Sequence, residues 1–236
     1  MKKIFAVVLI LLISASSFAQ DSGGSDSKFR FGFKVAPSLA WMKPDVKSFE
    51  SDGSRVAFIY GLMMDIRIAK NYAFATGLEI SYRGGEIKYD YPYNSSNNNP
   101  HTYSGNDKYN MKYLEIPLTI KMKTNEIGYI TYFGQFGFQP AIKISAKEDY
   151  TQTKTSSSPP KTFTESDVNA DVSGINVSLF FALGLEYRIS GNTAVTAGFQ
   201  FSNGFTDVLT GTNHDDNSVE LKSISNYFSL NVGVFF

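Results

Sequence analysis

Two histidines and a few clustered carboxylates are the side chains in this sequence best suited to chemistry. His214-Asp215-Asp216 sets one nitrogen beside two carboxylates, a donor set that a divalent cation accepts. His101 stands apart from it. Both lie in polar stretches expected to be solvated loops, and neither has a Ser and a carboxylate fixed beside it on a regular element. A Ser-His-Asp hydrolase therefore has no base to build on. The run Asp167-Val168-Asn169-Ala170-Asp171-Val172-Ser173-Gly174 spaces its oxygen donors like a calcium loop. An EF-hand loop needs Gly at its sixth position and Glu at its twelfth, where this chain carries Val172 and Ser178. The bland alternative is a strand with one wet face. The absence of cysteine removes thiolate nucleophiles, thiolate metal sites and disulfides. No catalytic residue, cofactor or metal ligand is assigned, and no enzymatic activity is expected.

What would position any site is a set of strands. Apolar and polar residues alternate with period two in segment after segment, which argues against helices. Phe29 to Trp41 sets Phe29, Phe31, Phe33, Val35, Leu39 and Trp41 against Arg30, Gly32, Lys34 and Ser38. The same pattern recurs in Val56–Ala69, Tyr72–Arg83, Leu114–Met122, Tyr132–Ile144, Ile175–Ile189, Val195–Phe201 and Phe228–Phe236. Eight strands is an even number, as bacterial membrane barrels require.

The polar face decides which way the barrel turns. It is rich in glycine (Gly32, Gly61, Gly77, Gly137, Gly184, Gly198, Gly233), and a solvated face has no use for a residue that weakens strands. The narrow interior of an eight-stranded barrel does need small side chains between large ones. That face also mixes charges of both signs, Lys34, Asp65, Arg67, Glu79, Arg83, Glu115, Lys121, Glu186 and Arg188, as a paired interior would. The expectation is an all-β, eight-stranded, antiparallel up-and-down transmembrane β-barrel with the polar face inside. A soluble, lipocalin-like periplasmic binder is the opposite orientation of the same pattern.

Short connections at Lys70-Asn71, Lys123 to Ile127 and Gly191-Asn192 alternate with long polar ones at Met42 to Arg55, Asp90 to Asp107, Ala146 to Asn169 and Asp207 to Leu221. Short turns are periplasmic and long loops extracellular, so both termini are placed in the periplasm. Asn94 to Asn99 and Ser156 to Pro160 are low-complexity loop tips, with adhesion as their functional reading and a mobile surface as the bland one. Between Ser173 and Asn176 the polar residues switch from odd to even positions. A strand keeps its faces unless a residue is inserted, so a β-bulge is expected at Gly174-Ile175, with an unpaired Asp167–Ser173 loop as the alternative. On the bulge reading, Gly174→Val impairs folding more than Gly211→Val.

The first residues set the compartment. Lys2 and Lys3 precede an apolar run from Ile4 to Ile13, and Ser17-Phe18-Ala19 offers the small-x-small cleavage pattern. Residues 1–19 are read as a signal peptide, 20–28 as a short periplasmic segment and 29–236 as the barrel of a Gram-negative outer membrane. Without Lys2 and Lys3, 20 of the 22 basic residues face 22 acidic ones, a net charge of −2 that argues against a nucleic-acid partner. A mean hydropathy of −0.16 beside 15% aromatics suits a barrel with aromatic rims. Mass spectrometry of outer-membrane fractions is expected to find a mature chain starting at or near Gln20. Recovery in washed soluble periplasm would contradict the barrel.

Tyr113-Leu114-Glu115-Ile116-Pro117-Leu118 with Lys121, Gly184-Leu185-Glu186-Tyr187, and the closing Phe228-Ser229-Leu230-Asn231-Val232-Gly233-Val234-Phe235-Phe236 resemble the PorT-like family of small outer-membrane barrels. That resemblance implies a barrel over essentially the whole mature chain and permits a role as component or accessory of a protein-export machine. It implies no catalytic or ligand residue. The terminal Phe236 resembles the signal read by the barrel-assembly machinery. The expected partners are outer-membrane lipid, that machinery during biogenesis, and proteins met at loops or periplasmic turns. The leading reading is a non-enzymatic barrel with exposed loops, structural or interacting in role.

Overall fold

The computed structural model describes residues 28–46, 49–94, 100–154, 161–210 and 222–236. Ten strands form one antiparallel sheet: β1 (Phe29–Pro44), β2 (Phe49–Ala69), β3 (Tyr72–Asn94), β4 (Pro100–Glu115), β5 (Leu118–Lys123), β6 (Ile130–Lys154), β7 (Lys161–Asp167), β8 (Ile175–Ser190), β9 (Thr193–Gly204) and β10 (Ser223–Phe235). β1 pairs with both β2 and β10, and every other stave has a neighbour on each side, so the sheet closes. Closure leaves no unpaired edge in hydrocarbon, where an orphaned backbone group is costly. β4 and β5 are one stave: both pair with β3 and with β6, with a break at Ile116-Pro117. Pro117 has no N–H to give, and the Ile116 N–H bridges the break by donating to the Pro140 carbonyl at 2.9 Å. β7 pairs only with β6, beyond the ring. The barrel thus has the eight staves expected.

Side-chain burial follows strand parity. Lys34, Asp65, Glu79, Glu115, Lys121 and Glu186 are buried, while Leu183 and Phe199 are each 71% exposed. In water that inversion would be ruinous, and in lipid it is what a stable barrel requires. The soluble lipocalin-like orientation is thereby set aside. Aromatics line the outer face, and some meet in clusters: Trp41 and Phe201 stack beside Phe228, and Tyr129 meets Tyr187. The tight β8–β9 turn uses Gly191 at φ +54°, a left-handed conformation that glycine tolerates.

Two expectations about the loops need correction. Met42 to Arg55, Asp90 to Asp107 and Ala146 to Asn169 are largely strand: β1 runs to Pro44 and β2 starts at Phe49, β3 pairs with β4 as far as Asn94↔Pro100, and β6 runs to Lys154. The bulge at Gly174-Ile175 is absent. β7 ends at Asp167, β8 starts in register at Ile142↔Ile175, and residues 168–174 are an excursion between them. The alternative, an unpaired Asp167–Ser173 segment, holds from Val168 onward: Asp167 still pairs with Lys147 at the end of β7, and the one bridge beyond it, Val172↔Leu209, is isolated. Its alternation has another cause. Val168 and Val172 turn inward and join Val208 and Leu209 in the apolar cluster over the lumen.

Candidate functional site: the barrel interior

The lumen is layered along its axis. At the periplasmic end, two carboxylates are shared by three cations. Asp65 lies 2.9 Å from Lys121 and 3.1 Å from Lys123, and Glu186 lies 2.6 Å from Lys121, 3.1 Å from Lys123 and 2.8 Å from Arg30. The Lys121 ammonium also sits over the rings of Phe133 and Phe235.

The middle layer is one connected network. Lys34 pairs with Glu79 at 2.7 Å and donates to Gln200 Oε1 at 3.1 Å. Gln200 Nε2 donates to the Tyr227 hydroxyl at 2.8 Å, which lies 3.0 Å from Glu115 Oε2. Glu115 is the hub. Its Oε2 also accepts from Gln139 Nε2 at 2.6 Å, while its Oε1 takes Arg83 Nε at 2.6 Å and the Ser81 hydroxyl. Arg83 is clasped between the rings of Tyr113 and Tyr227. Strand alternation accounts for the gathering: Ser81 and Arg83 are two apart on β3, and Glu79↔Glu115 sets β4 in register beside it. Pairing offsets most of the cost of burying these charges, while Glu79 Oε2 is left without a hydrogen-bond donor.

Above the hub the lumen turns apolar. Met42, Phe49, Ile87, Tyr89, Tyr109, Met111, Ala141 and Ala146 are buried against Val168, Val172, Val208 and Leu209. Backbone bonds from Ser173 N to Val208 O (2.8 Å) and from Thr210 N to Asp171 O (2.9 Å) lace the two inserted segments together. Burial, with the nearby charges of Glu148 and Asp107, pushes the Tyr109 phenol well above its ordinary value. A cavity of about 50 Å³ lies between the lower charge layers.

A closed antiparallel ring with an apolar outside and a paired, charged inside is the geometry of a small membrane barrel, and the sequence agrees. Residues 18–210 match the family described as outer membrane protein beta-barrel domain. The chain belongs to that family. This outer-membrane barrel is similar in structure to neisserial surface protein A (12% identity, 89% of this chain and 96% of that one, TM-score 0.46). It is also similar to the attachment invasion locus protein Ail of Yersinia pestis (13% identity, 89% and 100%, TM-score 0.34). A further similarity is to OprG of Pseudomonas aeruginosa (11% identity, 92% and 99%, TM-score 0.39). A comparison with curated protein sequences finds no match.

The lumenal residues expected from parity fall into two groups in this outer-membrane barrel. Lys34, Asp65, Glu79, Glu115, Lys121 and Glu186 are buried in the network, whereas Arg67 and Arg188 line the open periplasmic mouth. Arg188 there pairs with Glu126 at 2.6 Å. Parity had placed Arg30 on the inward face with Lys34, whereas Lys123, read as the start of a turn, shares the parity of Lys121 and is the last residue of β5. Parity also put Gln139 and Gln200 on the inward face without giving them a partner, and it missed Tyr227, which lies one residue before the expected last strand. Among the described residues no cluster of three or more metal-ligating side chains occurs. The Asp167 carboxylate instead accepts from the backbone and side-chain nitrogens of Asn169 at 2.9 and 2.7 Å, forming a local turn. His214-Asp215-Asp216, residues 95–99, residues 155–160 and Gly211 lie outside the described residues, as do residues 1–27. The backbone of His101 lies on β4 opposite Tyr93.

Proposed function

We propose that this protein is a non-enzymatic, non-conducting outer-membrane barrel that holds stiff extracellular strands out from the cell for interaction. The observation that carries the reading is the doubly filled lumen, ionic below and apolar above, beneath strands that run on past the lipid-facing belt. β3 continues eleven residues beyond Arg83, paired throughout with β4. A pore would need water-wide space along its axis, whereas here Arg83, Glu115 and Tyr227 fill it. In planar bilayers the purified barrel is expected to show no steady current, and a stable porin-like conductance would overturn the reading.

Outer-membrane lipid around the belt, the barrel-assembly machinery at biogenesis, and proteins met at the loops or periplasmic turns are the partners this function calls for; nucleic acid is not among them. A part in a protein-export machine, which the PorT-like resemblance permits, draws on Tyr113, Glu115, Pro117 and Lys121. Those residues already have work in the lumen, so the motif argues for the barrel more than for export. Gentle solubilisation and co-purification separates the two: a stable export complex would favour the second reading, a free-standing barrel the first.

A further inference from the structure

The periplasmic mouth opens into a cavity of about 830 Å³ that neither closure of the lumen nor display of the extracellular strands requires. Its lining carries Lys28, Arg30, Arg67, Lys70, Lys123 and Arg188 against Asp65, Glu126 and Glu186, six cations to three anions and thus a net charge of +3. The floor is itself positive, since Arg30, Lys121 and Lys123 share only Asp65 and Glu186. We propose that this vestibule binds a small oxyanion with at least two negative charges, of carboxylate or phosphate chemistry, taken from the periplasm.

Strand parity directs these charges to the lumen. Arg30, Arg67 and Arg188 alternate with Phe29, Phe31, Ile66, Ile68, Tyr187 and Ile189, whose side chains take the lipid side. The ligand therefore enters through the aqueous mouth and is not drawn from the bilayer. A cleft with low-dielectric walls lined by an excess of one sign concentrates counter-ions. Guanidinium groups add the planar fork that suits carboxylate and phosphate oxygens. The volume lies in the range of ordinary small-ligand sites.

The test is calorimetric titration of the folded mature barrel in detergent at low salt, with pyrophosphate in one arm and tri-glutamate in the other. Saturable binding of either probe is expected, and the tighter arm tells whether phosphate or peptide carboxylate is the better match. Arg67→Gln with Lys70→Gln should weaken it about tenfold, the scale of one charged hydrogen bond. Lys108→Gln, on the extracellular side, should leave it unchanged. If Arg67→Gln prevents folding, Lys28→Gln with Lys70→Gln at the exposed rim provides the same comparison. Binding of neither probe, or binding indifferent to the rim variants, would overturn the proposal.

Discussion

Glu115→Leu is expected to destabilise the barrel by about 3–5 kcal/mol, the cost of stranding a buried charge. Arg83 would keep only a 3.3 Å contact with the Ser178 hydroxyl and the faces of Tyr113 and Tyr227. At the same time Gln139, Tyr227 and Ser81 would lose their shared acceptor. Arg83→Met should be milder, because Glu115 would still accept from those three neutral donors. The double variant Glu115→Leu, Arg83→Met should recover a large part of the loss, since no unpaired ion remains in the hub. Urea titrations in lipid vesicles of wild type, both single variants and the double give the coupling directly. A Glu115→Leu barrel within about 1 kcal/mol of wild type would mean that the hub does not hold the lumen together.

A second large effect is expected in the wall. A Cβ built at Gly61 lies 2.2 Å from the Leu78 carbonyl oxygen and 2.7 Å from Glu79 Cα, both backbone atoms of the neighbouring strand. Ordinary overpacking costs about 1–3 kcal/mol because side chains can shift. Here the ladder itself would have to move, so Gly61→Val should fail to give the heat-resistant folded band on a gel. Gly174→Val should fold like wild type, because nothing lies within 4 Å of its Cβ and its backbone is outside the left-handed region. The importance attached to Gly174 from its place in the sequence thus passes to glycines such as Gly61. A folded Gly61→Val, or an unfolded Gly174→Val, would refute this reading of the wall.

The lipid-crossing part of every stave was legible because the bilayer demands strong contrast between faces. Phe31, Phe33 and Val35 against Gly32 and Lys34 fix the strand and its two faces, and the glycine and paired charges of the polar face choose which one turns inward. The strands above the membrane were hidden by a change of solvent. On β3 the outward residues are Leu78, Ile80 and Tyr82, then Glu86 and Lys88, while the inward ones pass from Glu79 and Arg83 to Ile87 and Tyr89. The apolar phase reverses near Gly84-Gly85, yet the ladder with β4 has no register shift. Read as sequence, that reversal looks like the end of a strand; in space it is one strand leaving lipid for water. The same logic misplaced a bulge at Gly174, where Val168 and Val172 were responding to a partner segment some forty residues away. The hub was half legible. Parity placed Glu115 inside, but Gln139 and Tyr227 are not charged, and nothing local to them announces a shared acceptor. The excess of cations at the mouth was equally obscured, because Arg30 and Lys123 are adjacent to it only through the closed ring.

The reversed phase of the projecting strands also sets where this protein is free to evolve. Ile87, Tyr89, Tyr109 and Met111 are locked in the upper core, whereas Glu86, Lys88, Lys108 and Asn110 face outward and bear none of that packing. The 2.7 Å pair between Lys108 and Glu86 is exposed enough to be worth little. Substitutions on such a face usually change stability by less than about 0.5 kcal/mol. Selection by a host, a phage or a competitor can therefore rewrite every second residue of these strands while the frame beneath stays fixed. Two descendants could display surfaces with nothing in common and still pass through the membrane on the same barrel.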